Sequence, residues 1–530
     1  MTLDTAPSDA RPVDAAPPVA AHDRDDASPA TRNWRRWSGI ALALVVVAAG
    51  VVAVNVHRSG HTQGDDFALY LRQAKSLFEG SMSRVIIDNR LLADNSTGVT
   101  PGMYPWGFPL LLSPFVRVWG LDFDRLKLIE VACLCTWLVL LHGIVRRRTG
   151  RIVALALTIA FASAPAYLLH TDQLLSEFPH LVAVAVVIWW LDRVMLRHRL
   201  TAAPTVDLAV LGLLAVVAYN VRRESLALVA VIGAAQLVDV AHARLDEHRP
   251  IRRLPWRVVA IPHVSFVIGV VVAQLLLPST LVPDNGNHRR YIPERLFTDY
   301  SRKLTTHLGL DSHQGLGRAL LAAAAVGAVV AVVRAPRFNA PLAALMVTTM
   351  TIIGTHFRMV DRYYFQVTPL VVYFVTMLVL EIVRFVIRHQ DRVAWRQAAF
   401  IGAAVPLLYL TAVHTWSVKD KVADAHEFND EGRVLSGPTN PKVADAFPAV
   451  LANTRPDDII VYYRARTMTL YTDRRALQTN SFAKMAGLGD YFMQNLNSDY
   501  SQPTVTETQL LNAGFDLVWD DDNWRLWRIP

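Results

Sequence analysis

Two adjacent carboxylates, Asp65 and Asp66, follow the first long apolar run of the chain, and a third acid, Glu177, stands in the short loop HTDQLLSEFP (170–179) before another. Six arginines, Arg222, Arg223, Arg289, Arg290, Arg358 and Arg362, fall at the ends of apolar runs. Arginine beside hydrocarbon is costly unless it meets an anion, and a guanidinium fork matches phosphate oxygens, so several on one face point to a bound phosphate. Carboxylates at the same face supply acid or base chemistry next to it. Each group also has a plainer role. Asp65 and Asp66 can cap the helix that starts there (Phe67, Tyr70, Leu71, Ala74 and Phe78 have helical spacing), and Glu177 can cap the next run. The arginines can reach lipid phosphates or pair locally, Arg223 with Glu224 and Arg362 with Asp361.

What must position these residues is a stack of membrane spans. Of 530 residues, 52% are hydrophobic and only 18% charged. The stretch GIALALVVVAAGVVAVNV (39–56) is long enough to cross about 30 Å of hydrocarbon. Further spans fall near 125–145, 152–169, 179–196, 205–219, 224–240, 257–277, 316–333, 338–355, 364–385 and 397–415, about eleven in all. Alternate loops are basic: RRRTGR (146–151), RHR (197–199), HARLDEHRPIRRLPWR (242–257), RAPR (334–337) and RFVIRHQDRVAWR (384–396). Basic loops stay on the cytoplasmic side, so one orientation satisfies all of them, with the N-terminus cytoplasmic and Asp65, Glu177 and the six arginines at the extracytoplasmic face. The net charge of +8 therefore reflects topology and not nucleic-acid binding. Cys133 and Cys135, two apart in one span, read as apolar fillers.

The expected fold class is an α-helical polytopic membrane protein with a small C-terminal extracytoplasmic α/β domain. Residues 1–33, rich in Ala, Pro and Asp, read as a disordered cytoplasmic tail, 34–415 as the transmembrane domain, and 416–530 as the second domain. In the last, DDIIVYYRARTMTLYT (457–472) alternates like a strand and FDLVWDDDNWRLWRI (515–529) reads as a hairpin.

The segments GDDFALYLRQAKSLFEG, YPWGFPLLLSPF, SEFP, RRESLALVA and RYYFQVTPL, in that order and on one side of the membrane, resemble membrane glycosyltransferases of the GT-C fold. The resemblance is to the branch of protein O-mannosyltransferases and aminoarabinose transferases (glycosyltransferase family 39-like), and covers roughly 39–415. It implies a plasma-membrane enzyme that moves a sugar from a polyprenyl-phosphate carrier to an extracytoplasmic glycan, lipid or protein, with inversion. The Ala/Val/Arg-rich composition suggests, by analogy, decaprenyl-phosphate donors of arabinose or mannose.

The usual acid pair of the family is Asp-Glu, where this chain has Asp65-Asp66. The resemblance makes Asp65 the base for the incoming hydroxyl, with Asp66 and Glu177 completing the catalytic set and Arg222, Arg223, Arg289, Arg290 and Arg362 the candidates for the donor phosphate. A polyprenyl phosphate leaves without a proton donor, so a base and cationic stabilisation suffice and no cofactor is expected. The alternative that the three acids hold a divalent cation stays open, because no His/Asp metal spacing decides it. A transporter or flippase of an anionic lipid is the competing class. It would show internal repeats or charges at mid-membrane, and the sequence shows neither.

Overall fold

The computed structural model describes residues 29–530, apart from 63, 97–98, 100, 246–247, 249, 251–254, 282–292, 311–312, 356–359, 390–392 and 499. The N-terminal tail therefore lies outside the described residues for all but its last few positions.

Helix α1 (Pro29–Asn55) leaves Leu44, Val47 and Val51 exposed along its length, as a lipid-facing helix must. The chain then turns into α2 (Asp66–Glu79), α3 (Met82–Asn95) and α4 (Gly107–Trp119), which lie at one end of the bundle. α2 stops where Gly80 takes a left-handed conformation, φ 70°. α4 is fixed by two features of the YPWGFP motif. Trp106 is fully buried, its Nε1 donating to the Pro278 carbonyl at 2.8 Å. At Gly107 a Cβ would stand 2.6 Å from the Asn220 carbonyl oxygen, so only glycine lets this turn press against the segment that carries Arg222.

The bundle continues through α5 (Phe123–Thr149), α6 (Arg151–Ala162), α7 (Pro165–His170), α8 (Glu177–Arg197), α9 (Thr205–Val221), α10 (Ala227–Leu245), α11 (Trp256–Leu276), α12 (Pro293–His307), α13 (Gln314–Arg334), α14 (Pro336–Gly354), α15 (Val367–His389) and α16 (Val393–Asp430). α5 packs on α8, α9 on α11, α10 on α14 and α13 on α15. A helix stands at each of the eleven expected spans. Among the described residues seven are long and apolar enough to cross a membrane, and α9 and α6 are shorter apolar helices.

Two expected spans differ from the sequence reading. The third is broken. Pro165, at the start of α7, forces Ala164 into an extended conformation, so α6 is only 12 residues, about 18 Å long, and α7 turns away. The last, expected to end near 415, runs on as α16 to Asp430 and carries the chain out to the C-terminal domain.

That domain consists of α17 (Ala446–Asn453), β1 (Ile459–Val461), α18 (Ala465–Thr472), β2 (Arg475–Leu477), α19 (Phe482–Leu488), β3 (Tyr491–Asn495), α20 (Glu507–Asn512), β4 (Asp516–Asp520) and β5 (Trp524–Arg528). The sheet order is β2-β1-β3-β5-β4, parallel among β2, β1 and β3 and antiparallel at the β4–β5 hairpin. Strand alternation builds two layers. Ile460, Tyr462, Met493, Trp524 and Leu526 face α17 and α18, while Val461, Phe492 and Trp527 face α19 and α20. The hairpin lies where the sequence places it. The expected long strand over 457–472 does not form: only Ile459–Val461 is strand, and after a short turn Ala465–Thr472 is α18.

Candidate functional site

Glu177 is the first residue of α8 and is almost fully buried. Arg222, extended at the end of α9 (φ −148°), donates to Glu177 Oε1 at 2.7 Å, to Ser176 Oγ at 3.1 Å and to Glu224 Oε1 at 2.9 Å. From the other side Arg362, in the short 3-10 turn Asp361–Tyr364, places Nε 3.4 Å from the same Glu177 oxygen and hydrogen-bonds Asp66 through Nη2. Both guanidinium groups lie near the Tyr363 ring, Arg222 at 5.6 Å and Arg362 at 5.9 Å from its centre. Such a ring holds two cations near each other by its negative face. His170 Nε2 stands 3.5 Å from Glu177 Oε2.

The helix that follows Asp65 is tied to this cluster through tyrosines. Tyr104 donates to Asp66 Oδ1 at 2.7 Å, stacks on Tyr70 at 4.5 Å, and Tyr70 in turn bonds Ser176 Oγ at 3.0 Å. Burial pushes the Asp66 carboxyl up, but Arg362, Arg466 and the Tyr104 bond outweigh it, so Asp66 ends below the ordinary carboxylate range. Asp65 is different. It occupies the N-cap position of α2 yet makes no capping bond; its carboxylate reaches α18 of the C-terminal domain. Oδ1 accepts from Thr467 N and Thr467 Oγ1, both at 3.0 Å, and Oδ2 from Arg466 N at 3.3 Å. Burial pushes Asp65 up, and Arg466 and the Thr467 bonds offset this only in part. Adjacent acids therefore hold unlike states, Asp66 firmly ionised and Asp65 the more basic.

Several expected pairings are corrected. Asp65 does not cap α2. Arg223 does not pair with Glu224: it turns away from the cluster, stacks 4.3 Å over Tyr219 and donates to Ser279. Arg362 does not pair with Asp361, which is taken by Lys303 at 2.6 Å. Arg289, Arg290 and Arg358 lie outside the described residues. Asp172, near Glu177 in sequence, is buried between Lys127 (2.8 Å) and Arg58 (3.1 Å) and serves to tie α5 to the end of α1.

Arg466, Thr467, Tyr363 and Tyr104 were not singled out by sequence. Tyr363 and Tyr104 lie inside the quoted motifs RYYFQVTPL and YPWGFP; Arg466 and Thr467 lie in a segment read as a strand.

Glu177, Arg222, Arg362, Tyr363, Gln366 and Thr349 line a small, partly open pocket beside the cluster. Arg362 Nε and Glu177 Oε2, both buried, have no hydrogen-bond partner. The arrangement thus carries cationic hydrogen-bonding capacity at a cavity wall, which suits an anion. Among the described residues no three or more His, Cys, Asp or Glu side chains gather as a metal site. Asp65, Asp66 and Glu177 are each turned to hydroxyl, amide or guanidinium donors.

No protein-family model and no curated protein sequence matches the chain. Solved structures do. The crystal structure of ArnT from Cupriavidus metallidurans bound to undecaprenyl phosphate is similar at 12% identity and a TM-score of 0.53, over 93% of this chain and 97% of that one. Its apo state gives 13% identity and a TM-score of 0.51, over 94% and 98%. The apo oligosaccharyltransferase of Archaeoglobus fulgidus gives 11% identity and a TM-score of 0.50, over 86% of this chain and 69% of that one. At such identities the likeness is one of fold. The chain has the GT-C fold.

Proposed function

We propose that this chain is a glycosyltransferase that moves a hexose or pentose from a polyprenyl-phosphate carrier to a hydroxyl of an extracytoplasmic acceptor. The observation that carries the reading is the pair Arg222 and Arg362, converging on Glu177 at a pocket wall, one side chain away from the acids that follow α1. The fold supports it, since a chain of the same fold binds undecaprenyl phosphate.

In the proposed reaction the acceptor oxygen attacks the anomeric carbon and the bond from that carbon to the phosphate oxygen breaks. The electron pair leaves on the polyprenyl phosphate, and the hydroxyl proton passes to Asp65. A single displacement inverts the anomeric configuration. Arg222 and Arg362 stabilise the charge that builds on the leaving phosphate. Asp66 holds Arg362 in place and is too well ionised to be the better base. The basic loops at the opposite end of the bundle support a cytoplasmic N-terminus and a reaction on the outer side.

The purified chain, reconstituted with a panel of polyprenyl-phosphate hexoses and pentoses, should release polyprenyl phosphate from at least one. Asp65→Asn should slow that turnover by about 10²–10⁴-fold while donor binding and expression stay near wild type. Because only ionised Asp65 accepts a proton and burial raises its carboxyl, activity should fall on the acid side above the ordinary value of about 4. Full activity in Asp65→Asn, Asp66→Asn and the double variant removes the acid pair from the reaction.

A further inference from the structure

Consecutive residues of the C-terminal domain meet the consecutive acids of the membrane domain. Thr467 gives Asp65 Oδ1 its two 3.0 Å bonds, while Oδ2 receives only the longer one from Arg466 N. The Arg466 side chain, 3% exposed, turns to the other acid. Its Nη1 lies 3.3 Å from Tyr104 Oη and 3.7 Å from Asp66 Oδ1, and its Nη2 donates to the Pro101 carbonyl at 2.6 Å. The domain is also docked by other contacts. Leu92 and Val99 insert into its core, Arg475 pairs with the buried Asp88, and its leading segment bonds the backbone of Ser59 and His61. The polar contacts to the acids come in addition to this anchorage.

We propose that Thr467 is a positioning residue: its hydroxyl and amide clamp Oδ1 of Asp65, leaving Oδ2 as the oxygen presented to the acceptor hydroxyl. This rests on the transferase reading above. On it, the C-terminal domain is part of the active site, because it fixes the rotamer of the base across a domain boundary. It also explains how two neighbouring aspartates acquire unlike roles, since Asp65 is met by neutral donors and Asp66 by two guanidinium groups.

Thr467→Val keeps the β-branched shape and the amide but removes the hydroxyl, and Thr467→Ser keeps the hydroxyl. Thr467→Val should lower kcat about ten- to a hundredfold, the worth of one hydrogen bond to a charged group, with KM for the donor unchanged. Its acid limb should move to higher pH, because a bond to a carboxylate favours the ionised form. Thr467→Ser should restore both. A contact that only docks the domain would lower the melting temperature and leave the limb where it was. The proposal is overturned if Thr467→Val keeps wild-type kcat and limb, or if Thr467→Ser is no better than Thr467→Val. If the wild-type chain turns over no donor of the panel, the transferase reading itself has failed. The clamp is then read from melting temperatures of Asp65→Asn, Thr467→Val and the double variant, where coupling supports it and simple additivity overturns it.

Discussion

The two ends of the helix bundle both bury arginines against carboxylates, and they do so in opposite ways. At the end carrying the basic loops, Arg148 is 1% exposed and its five N–H groups are all used. They meet both oxygens of Asp192 at 2.7 Å, the Ile144 carbonyl, and the Phe338 carbonyl twice. Nothing is left to offer a ligand; the group locks α5, α8 and α14 together. At the other end Arg362 is 23% exposed, makes a single hydrogen bond among the described residues, and lines a pocket shared with Arg222 and Glu177. Burial of charge alone does not separate structure from function. Saturation does: a fully satisfied guanidinium is a rivet, and an under-satisfied one at a cavity is a receptor.

The contrast can be broken by substitution. Removing the Arg148 partner should have the largest effect, because Asp192→Ala leaves a buried charge uncompensated, a loss of about 3–5 kcal/mol. Its thermal melt in detergent should fall steeply. Arg362→Ala should behave in the reverse sense, with donor binding weakened about ten- to a hundredfold, as expected for a charge-assisted contact of roughly 1.5–3 kcal/mol, and only a small change in melting. Equal donor affinity in Arg362→Ala and wild type would place the phosphate elsewhere.

A sharper version concerns direction. Glu177 neutralises the arginines proposed to bind phosphate, so Glu177→Gln should tighten binding of the polyprenyl phosphate by a few-fold, on the scale of a partly screened charge contact. Weaker binding would mean that Glu177 orders the arginines more than it competes for them. Smallest of all is Arg223→Ala, which should leave donor affinity within about twofold, because its side chain lies on Tyr219 and Ser279 outside the pocket.

How far these features were legible in the sequence follows from which forces are local. The spans could be read because hydrocarbon admits only helices and because basic loops alternate with them. The break at Ser163–Pro165 was carried by a proline inside an apolar run that length alone made look continuous. The segment 463–472 misled because Arg, Thr and Tyr alternate with Ala, Met and Leu over it, and period two reads as strand. Packing of Ala465 and Met468 against α17 and the sheet made it a helix instead. Partner assignments were beyond reach for a geometric reason. Neighbours in sequence diverge in space, so Arg222 at the extended end of α9 and Arg223 in the following turn point to different partners. Asp65 and Asp66 were identifiable as a pair, but what separates them, the contact with Thr467, joins residues 402 apart in the chain.

The central claim is that Arg222 and the under-satisfied Arg362, at the C-terminal-domain end, hold a lipid phosphate. A structure of the chain with bound polyprenyl phosphate tests it most directly. The phosphate oxygens should lie within hydrogen-bonding distance, about 3 Å, of both Arg222 and Arg362 Nε, with the lipid running into the bilayer. A phosphate seated on Arg223 and Ser279, or at the Arg148 end, would contradict the account.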